Sequence, residues 1–405
     1  MKLIQYKLNG FPKHSETFIL TNISYALKNN YNVKIYVNEY LGISGSSQEN
    51  LFRQSRVENY LLKPRKFKGN FLFKLFNYLK CLLNFKVLKF FINNYKDVDL
   101  KKTSFILCLD YFSSFQDKLT HIHFNTAIEP LNFLHKIGYI NSKYIVTFHG
   151  YDAYMETKES FHKKYNFFYK NVVAVTSNSE FLKKQLIKIG ISKEKIFVIP
   201  MGIDTSIFKG EIKSISSKKK IRIITVGRLI QLKGQKYGIL AVNELIKRGY
   251  DCEYNLIGDG EEFESLKTMV KSYNLQNHVF FHGLMDQKEI IKYLKKSDIF
   301  LMTSTFEEST KRREAFGLVS IEAQSVGLPV IGFKSGGFQE TIIEDITGFS
   351  VDDRDYNEMT NKIEFFLINR KKYKEASTQA IIHAKKFDLK FTTKYFLDLY
   401  KHYNF

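Results

Sequence analysis

Cysteines and long apolar segments are both scarce in this sequence. The 405 residues include three cysteines, Cys81, Cys108 and Cys252. Their wide spacing excludes a metal knuckle and a C-x-x-C redox pair, and the odd number argues against a disulfide framework. No stretch approaches the roughly 18 consecutive apolar residues of a membrane-spanning helix, and the N-terminus lacks the apolar core of a secretion signal. These absences predict a protein of the reducing cytoplasm that does not span a membrane.

Acidic residues are also few: 62 Lys and Arg stand against 41 Asp and Glu, a formal net charge of +21. The segment from Lys63 to Lys102 contains eleven basic and two acidic residues, interleaved with Phe and Leu. This mixture is typical of a helix lying on anionic lipid, and it predicts association with the inner face of the cell membrane. An ordinary helix pair with a solvated basic face would show the same pattern. No nucleic-acid-binding motif accompanies the charge, so nucleic acid is not a predicted partner.

Short apolar runs that favour strands alternate with longer helical stretches, the pattern of parallel α/β layers. Two series of strands are predicted. The first covers residues 3–8, 33–37, 105–109, 121–124, 144–147 and 172–176, and the second covers 221–226, 254–257, 279–281, 299–301 and 330–333. The pattern predicts an α/β fold of two Rossmann-like domains. Ligands of such sheets bind outside the carboxyl ends of the strands, so we expect the active site in a central cleft that the two domains face.

The predicted domain boundary lies in a polar stretch rich in Gly, Ser and Lys. Residues 208–220, F-K-G-E-I-K-S-I-S-S-K-K-K, are predicted to link a first domain, 1–207, to a second domain, 221–385. The final segment, 386–405, is predicted to be helical.

The most informative motif is E-A-F-G-L-V-S-I-E, from Glu314 to Glu322. Gly317 in this short apolar segment indicates a loop that enters a helix. If the helix begins near Phe316, the backbone N–H groups of residues 316–319 form an anion site that suits a diphosphate. Glu322 would then lie about two helical turns further, roughly 10 Å along. One carboxylate could accept hydroxyls of a sugar and the other those of a ribose.

This motif and its neighbours resemble glycosyltransferase family 4, the retaining GT-B enzymes with an E-x(7)-E signature. Six further segments match the family in order along nearly the whole chain, which is far more specific than one pair of glutamates. They are F-P-K-H-S-E-T-F-I (11–19), T-F-H-G-Y-D (147–152), I-P-M-G-I-D (199–204), V-G-R-L-I-Q-L-K-G (226–234), L-I-G-D-G (256–260) and F-H-G (281–283). The N-terminal segment is most similar to the subgroup typified by colanic acid and related exopolysaccharide transferases.

The resemblance implies that the final helix, in 386–405, crosses back to the first domain, and it implies a donor site in the second domain. Arg228 and Lys233 would neutralise the departing nucleoside diphosphate, because electrostatic stabilisation is often the largest catalytic contribution. Glu314 would orient hydroxyls of the donor sugar and Glu322 would bind the ribose. Neither is predicted to be a nucleophile, since the second acid that a covalent intermediate requires is not apparent. The other predicted donor-binding residues are Gly227, Gly258, Gly283, Leu284, Phe316, Gly317, Leu318 and Val319.

Residues of the first domain are predicted to face the acceptor or the transferred sugar. His149 ends a strand and precedes Gly150, which permits a tight turn and close approach of a ligand. We therefore predict that His149 contacts the donor sugar or the acceptor. The predicted acceptor-binding residues are Gly10, Ser15, Glu16 and Asp152. Ser15 and Glu16 could equally form an ordinary cap and first turn of the first helix.

Metal binding is not predicted. His121 and His123, in H-I-H-F, are expected to point to opposite faces of a strand, so that one of them could line the cleft but the two could not chelate one ion. No D-x-D motif of a metal-dependent transferase is apparent, and no cofactor beyond the sugar nucleotide is expected. The basic run 311–313 is either an exposed loop or a second anion site.

Together these features predict a retaining hexosyltransferase. Its donor would be a nucleoside diphosphate sugar. The resemblance favours a UDP-sugar as this donor and leaves GDP-mannose open. Its acceptor would be a growing, lipid-linked bacterial surface polysaccharide. One alternative is a sugar-nucleotide epimerase on the same fold, for which no proton-abstracting set is apparent. The other is a catalytically silent glycan- or lipid-binding partner, against which the intact cationic and acidic motif residues argue.

Overall fold

The structure is a computed structural model that describes residues 3–12, 17–43, 49–64, 71–94, 103–216 and 220–403. The chain forms two compact units. Unit 1 comprises Met1–Thr176, Ile187–Phe197 and Phe396–Phe405, and unit 2 comprises Ser177–Leu186 and Val198–Tyr395.

Unit 1 is built on a seven-stranded sheet in the order β3-β2-β1-β4-β5-β6-β7. Its strands are β1 (Leu3–Phe11), β2 (Asn32–Tyr40), β3 (Leu61–Leu62), β4 (Leu119–His123), β5 (Lys143–Thr147), β6 (Val172–Ser177) and β7 (Ile196–Val198). The helices of unit 1 are α1 (Thr17–Lys28), α2 (Glu49–Gln54), α3 (Phe71–Leu82), α4 (Phe85–Asn94), α5 (Thr103–Tyr111), α6 (Leu131–Lys136) and α7 (Lys158–Tyr169). Helix α8 (Glu180–Lys188), next along the chain, lies mostly in unit 2.

Unit 2 is built on a six-stranded, wholly parallel sheet in the order β10-β9-β8-β11-β12-β13. Its strands are β8 (Ile221–Val226), β9 (Cys252–Ile257), β10 (Val279–Phe281), β11 (Ile299–Met302), β12 (Val330–Phe333) and β13 (Gly348–Val351). The remaining helices are α9 (Gln235–Lys247), α10 (Phe263–Ser272), α11 (Gln287–Lys296), α12 (Leu318–Ser325), α13 (Tyr356–Ile368), α14 (Arg370–Ala384) and α15 (Leu389–Tyr403). Helix α15 begins in unit 2, and its residues from Phe396 onward belong to unit 1.

The apolar strands of unit 2 are buried on both faces, as expected of a parallel sheet between helical layers. Along β8, Ile221 and Ile223 enter one hydrophobic cluster, with helices α9 and α13. Ile224 enters a second cluster, with Ile321 of α12. Because neighbouring side chains in a strand point to opposite faces, a near-continuous apolar run is required to fill both layers.

All but one of the predicted strands occur in the structure. The exception is 105–109, which was predicted as a strand and lies within the helix α5. Its run of apolar residues has neither the alternation of a half-buried strand nor a clear helical period, so periodicity could not separate the two. The sequence prediction also omitted the short strands β3, β7 and β13.

The segment predicted as a linker is largely packed into unit 2. Phe208 is 1% exposed and Ile215 is 6% exposed. Gly210 lies so close to α12 that a Cβ there would be 2.1 Å from the Cα of Val326. Residues 208–216 are therefore anchored to unit 2 at Phe208, Gly210 and Ile215, while Lys209, Glu211, Ile212 and Ser214 between these anchors are exposed, and 217–219 lie outside the described residues.

A lysine is buried in the central strand of unit 1. Lys7 in β1 is fully buried, and its ammonium donates to Asn38 Oδ1 at 2.8 Å and to the carbonyl of Leu8 at 3.2 Å. Burial lowers the pKa of Lys7 to about 7, because a charged amine loses its hydration there.

This burial predicts a pH-dependent cost to stability. Between about pH 7 and the ordinary pKa of 10.5 the unfolded chain binds more protons at Lys7 than the folded chain, so stability should rise with pH in that range. We expect Lys7→Met to raise the Tm by about 3 °C at pH 7, with the gain disappearing toward pH 10. Calorimetry at pH 7, 8.5 and 10 tests this, and a gain independent of pH would show that Lys7 is not the cause.

Candidate functional site

Three loops of unit 2 meet at glycines. Gly227 follows β8, Gly258 follows β9, and Gly283 lies just after β10. The N–H of Gly258 donates to the carbonyl of Gly283 at 2.9 Å, and a Cβ on Gly258 would lie 2.0 Å from the carbonyl oxygen of Gly227. These contacts bring the carboxyl ends of three neighbouring strands together. They lie beside the point between β8 and β11 where the strand order reverses, the usual ligand position in such sheets.

The loop after β8 is tied to the loop after β11. Residues Gln231–Lys233 form a short 3-10 helix. The carbonyl of Lys233 accepts from Thr303 Oγ1 at 2.7 Å, and the carbonyl of Leu232 accepts from the N–H of Thr305 at 2.9 Å. Gly234 has a φ of +57° and approaches Thr303 so closely that only a residue without a Cβ fits. The backbone of Lys233 is therefore fixed against the loop that leads to Glu314.

Lys233 and Glu314 form an ion pair. Lys233 Nζ lies 2.5 Å from Glu314 Oε2, and Ser304 Oγ donates to the same oxygen at 2.9 Å. The side chains are 20% and 13% exposed. Burial opposes ionisation of Glu314, yet the ammonium and the hydroxyl outweigh it and lower the pKa of this carboxyl below its ordinary value. Glu314 is thus a charged, oriented carboxylate.

Arg228 and Leu284 are the exposed members of the predicted donor site. No described side chain forms a hydrogen bond or an ion pair with the Arg228 guanidinium, and the residue is exposed. Leu284, next to Gly283, is 80% exposed. A cation and an apolar side chain therefore face solvent on loops that the glycine contacts hold together.

Helix α12 begins at Leu318, two residues later than predicted. Gly317 takes a φ of +88° as its N-cap, and no side chain caps the helix, so its first N–H groups remain available to an anion. Phe316 is 2% exposed and its ring packs near Phe387, with centroids 5.9 Å apart. Glu322 consequently lies little more than one turn into the helix, not two.

Glu322 differs from Glu314 in having no partner. Among the described residues none donates a side-chain hydrogen bond to its carboxylate or forms an ion pair with it. Burial alone raises the pKa of Glu322 to about 7. A partly buried carboxylate without donors is destabilising by itself and is well suited to accept hydroxyls from a ligand.

The basic run 311–313 is occupied by internal contacts. Arg312 donates through Nε and Nη2 to Glu307 Oε2 at 3.0 and 2.6 Å. Arg313 pairs with Asp353 at 3.2 Å and lies over the ring of Phe306. Lys311 lies 3.3 Å from Glu308. The basic side chains of the run thus pair with acidic residues of this protein, two in the same loop and one, Asp353, after β13.

His121 and His123 of unit 1 lie on the same face of β4, contrary to the prediction of opposite faces. Their ring centroids are 4.1 Å apart. Residues two apart in a strand share a face, and it is adjacent residues that alternate. His121 is bonded to hydroxyls at both ring nitrogens, Tyr400 at 2.5 Å and Thr147 at 2.6 Å.

His149 follows β5 and lies beside His123. Its Nε2 is 3.1 Å from His123 Nδ1, and its ring lies between Phe18 and Phe124, with centroid distances of 4.5 and 4.4 Å. Gly150 has a φ of +126°, which provides the predicted tight turn. The donor-site residues are in unit 2, whereas His149 is in unit 1.

Asp152, predicted to bind the acceptor, is 1% exposed and is engaged by the backbone. Its carboxylate accepts the N–H groups of Asn125 (2.8 Å), His149 (3.0 Å) and Gly150 (3.2 Å). It therefore ties the loop after β4 to the loop after β5, and an acceptor would have to displace backbone donors to reach it.

Gly10, predicted to bind the acceptor, lies beyond the predicted first strand, 3–8, but within the observed one. It lies within β1 and pairs with Glu39 of β2. Ser15 and Glu16 lie outside the described residues.

Sequence reasoning missed two residues that shape these sites, Ser304 and His123. Ser304 lies just after β11 in M-T-S-T, and polar residues at the carboxyl end of a parallel strand were the available signal. His123 was considered as a metal ligand or as a histidine that could line the cleft, and not as a partner of His149. Within the described residues no group of three or more His, Cys, Asp or Glu side chains is placed to hold a metal ion.

Comparison with known proteins identifies the family of both parts of the chain. Residues 208–383 match the family model described as glycosyl transferases group 1, and residues 104–207 match the model described as glycosyltransferase family 4. The amylovoran biosynthesis glycosyltransferase AmsK of Erwinia amylovora is 28% identical over 358 residues, 86% of each chain. The putative colanic acid biosynthesis glycosyltransferase WcaL of Escherichia coli is 26% identical over 262 residues, 64% of each chain.

Solved structures agree on the fold. The crystal structure of Anabaena HepE in complex with UDP superposes with a TM-score of 0.70 at 17% identity and covers 99% of this chain and 100% of that one. A glycosyltransferase from Rickettsia africae gives a TM-score of 0.70 at 20% identity, covering 99% and 98%. With two parallel α/β units and two glycosyltransferase family models that together match residues 104–383, the chain is a glycosyltransferase of the GT-B fold.

Proposed function

We propose that this glycosyltransferase moves a hexose from a UDP-sugar to a growing, lipid-linked surface polysaccharide, with retention at the anomeric carbon and without a metal ion. The observation that carries the proposal is the cluster of loops in unit 2. There an exposed Arg228, the Lys233–Glu314 pair and the uncapped start of α12 follow neighbouring strands. Cations and free N–H groups suit a diphosphate, and carboxylates suit the hydroxyls of sugar and ribose.

The names of similar proteins support the substrate classes. AmsK and WcaL are named for biosynthesis of amylovoran and colanic acid, which supports a polysaccharide as acceptor. The HepE structures contain UDP or UDP-glucose, which supports a UDP-sugar as donor.

Lys233 is suited to stabilise the departing diphosphate while it remains paired. An ammonium group has three N–H donors, and Glu314 uses one of them. The other two can serve phosphate oxygens. Because the ion pair and the 3-10 helix fix the side chain beforehand, little reorganisation is needed when negative charge develops on the leaving group.

Glu314 keeps one oxygen for the sugar. Lys233 and Ser304 both donate to Oε2, and no described side chain donates to Oε1. Oε1 can therefore accept a hydroxyl of the donor hexose. Glu322, which has no donor of its own, would accept the ribose hydroxyls. The departing phosphate oxygen would take the proton of the acceptor hydroxyl, so that no enzyme nucleophile is required.

The lipid-linked part of the proposal rests on the α3–α4 surface, the exposed apolar and basic side chains of these two helices. Leu83 is 84% exposed, Phe85 is 76% exposed and Leu72 is 71% exposed. The other large exposed apolar residues of the surface are Phe73, Leu75, Phe76, Leu79, Leu88 and Ile92. Lys80, Lys86 and Lys89 are exposed on the same helices. Side chains of Phe71, Lys74, Asn77 and Tyr78, and residues 65–70 and 95–102, lie outside the described set.

So many large apolar side chains at one surface are unusual for a protein surrounded by water. None of the helices in the described part of the chain is long and apolar enough to cross a bilayer. Lysines beside inserted Leu and Phe side chains favour the interface of an anionic bilayer instead, each contributing up to about 1 kcal/mol. An enzyme held there would meet a lipid-linked acceptor.

Loss of either cation should abolish most transfer. We expect Arg228→Ala or Lys233→Ala to lower turnover about 100-fold, because the leaving diphosphate would lose a positioned positive charge. Transfer from radiolabelled UDP- and GDP-sugars to membrane extracts is the assay, with product anomers determined by NMR. Lys236→Ala, an exposed lysine on α9, is the matched control. Folded Arg228 and Lys233 variants within threefold of wild type would contradict the assignment.

The Glu322 carboxylate should lower the stability of the ligand-free protein and strengthen its binding of the nucleotide. Above about pH 7 the folded chain must hold this carboxylate charged and partly buried, so wild type loses stability as pH rises from 4.5 to 7. We expect Glu322→Gln to raise the Tm of the ligand-free protein by about 3 °C at pH 8 and to have little effect at pH 5. Calorimetric titration should show weaker UDP binding by the same variant. Destabilisation at pH 8, or unchanged UDP affinity, would argue against the ribose role.

The α3–α4 surface should bind anionic vesicles. We expect wild type to co-sediment with phosphatidylglycerol vesicles in preference to phosphatidylcholine vesicles, and binding to weaken as salt rises, because charges are screened within about 8 Å at physiological ionic strength. Lys80→Gln with Lys89→Gln should reduce binding at low salt, and Leu83→Ser with Phe85→Ser should reduce it at all salt concentrations.

Control variants on unit 2 separate this surface from general effects. Lys371→Gln with Lys374→Gln removes two exposed charges, and Ile368→Ser removes a side chain that is 67% exposed. Both should leave vesicle binding unchanged. Equal binding of wild type to anionic and neutral vesicles would remove the membrane from the proposal.

A further inference from the structure

His123 and His149 form a contact between the carboxyl ends of two adjacent strands. In the parallel pairing of β4 with β5, His123 lies opposite Thr147, two residues before His149. The chain turns after β5, and His149 Nε2 comes to 3.1 Å from His123 Nδ1, with the two rings 15° from parallel. His123 is fully buried. The sheet therefore places a buried imidazole directly behind the histidine that is proposed to act on substrate.

The positions of the ring N–H hydrogens of His123 and His149 depend on each other. Burial lowers the pKa of His123 to about 3 and that of His149 well below its ordinary value, so each ring is neutral near pH 7 and carries one N–H. One hydrogen must lie between His123 Nδ1 and His149 Nε2. Either both rings carry hydrogen on Nδ1, or both carry it on Nε2. The tautomer of His149 is therefore coupled to that of His123.

Two phenylalanine rings pack against the His149 ring. Phe18 and Phe124 lie on it at 4.5 and 4.4 Å. Phe124 adopts a φ of +67° and a ψ of 125°, a conformation that a non-glycine residue rarely takes and that is typically retained at functional sites. The backbone N–H of His149 is also held by Asp152 at 3.0 Å.

The outer nitrogens of the pair are unpartnered. His123 Nε2 and His149 Nδ1 are buried and have no hydrogen-bond partner. The neighbouring His121 differs, since hydroxyls of Tyr400 and Thr147 serve both of its nitrogens. The shared bond is thus the polar contact on which the ring geometry of His149 depends.

We infer that His123 is a positioning residue, which sets the tautomer and ring orientation of His149 through the Nδ1 to Nε2 hydrogen bond. The inference rests on the proposed function and on the predicted contact of His149 with a hydroxyl of the donor sugar or of the acceptor. Such a hydroxyl can donate or accept, so it can be matched to either tautomer, but it requires that one tautomer be fixed before it binds. His123, which is itself fully buried, couples the tautomer of His149 to its own, so that the His149 ring does not change tautomer independently.

Two amide substitutions distinguish positioning from filling of space. The amide of Asn reaches the position of an imidazole Nδ1, whereas the amide of Gln reaches the position of Nε2, on the side away from His149. Gln is closer to His in volume. We expect His123→Asn to keep more than half of wild-type kcat, and His123→Gln and His123→Ala to lose about tenfold at an unchanged KM for the donor. Equal or higher kcat for Gln than for Asn, or no loss in any variant, would overturn the inference.

Nitrogen NMR of histidine-labelled protein gives a readout that does not depend on activity. The His149 signals, assigned by their absence in His149→Gln, should show one tautomer with a hydrogen-bonded Nε2 in wild type and in His123→Asn. A mixture of tautomers is expected in His123→Gln and His123→Ala. If wild type transfers no sugar, the function is wrong, and this spectrum still tests the positioning. A mixed or unbonded His149 in wild type overturns it.

Discussion

The ion pair between Lys233 and Glu314 is the contact on which the donor site depends. It joins the loop after β8 to the loop after β11, on the two sides of the point where the strand order reverses. Two charges that are mostly removed from water are stable only when they face each other, and removal of either leaves the other uncompensated. Hydrogen bonds from Thr303 and Thr305 to the carbonyl groups of Lys233 and Leu232 also join the two loops and support the ion pair. The pair therefore fixes both the cation that we propose for phosphate and the carboxylate that we propose for sugar.

Close backbone packing is the second constraint, and it explains why so many motif residues are glycines. A Cβ on Gly336 would lie 2.0 Å from the carbonyl oxygen of Glu314, and one on Gly337 would lie 2.1 Å from that of Ala315. The N–H of Gly337 donates to the carbonyl of Glu314 at 2.8 Å. The acidic motif is thus held from the side of β12 as well. These contacts hold the backbone of Glu314 in place, and the fixed backbone in turn helps to orient the Glu314 carboxylate.

The sequence predicted most of unit 2 because its parallel strands are short apolar runs, and β8, β9 and β10 are each followed within two residues by a glycine. It failed at residues 105–109, where an apolar run without periodicity fits either a helix or a strand. The start of α12 was misplaced because the positive φ of Gly317 ends the loop, and no local pattern required that conformation. The opposite-face prediction for His121 and His123 was an error in applying the strand period.

Contacts across strands were the part that the sequence could not supply. His123 meets His149 through the register of β4 against β5, and Ser304 meets Glu314 through a ten-residue loop. Asp152 looked available for a ligand, yet three backbone N–H groups occupy it. Such pairings depend on which strands are neighbours, and that information is not present in a local motif.

The candidate site residues of unit 2 are charged, whereas the clustered histidines of unit 1 are neutral. This difference matches the chemistry proposed for each unit. Unit 2 presents charge, with Arg228, Lys233 and the glutamates, and charge is the effective partner of a diphosphate. In unit 1 burial keeps His121, His123 and His149 neutral. A neutral imidazole in a fixed tautomer distinguishes a donor from an acceptor without attracting ions, which suits a group that must orient a glycan hydroxyl. A substitution that charged this cluster would therefore favour anions where the proposed reaction requires an uncharged alcohol.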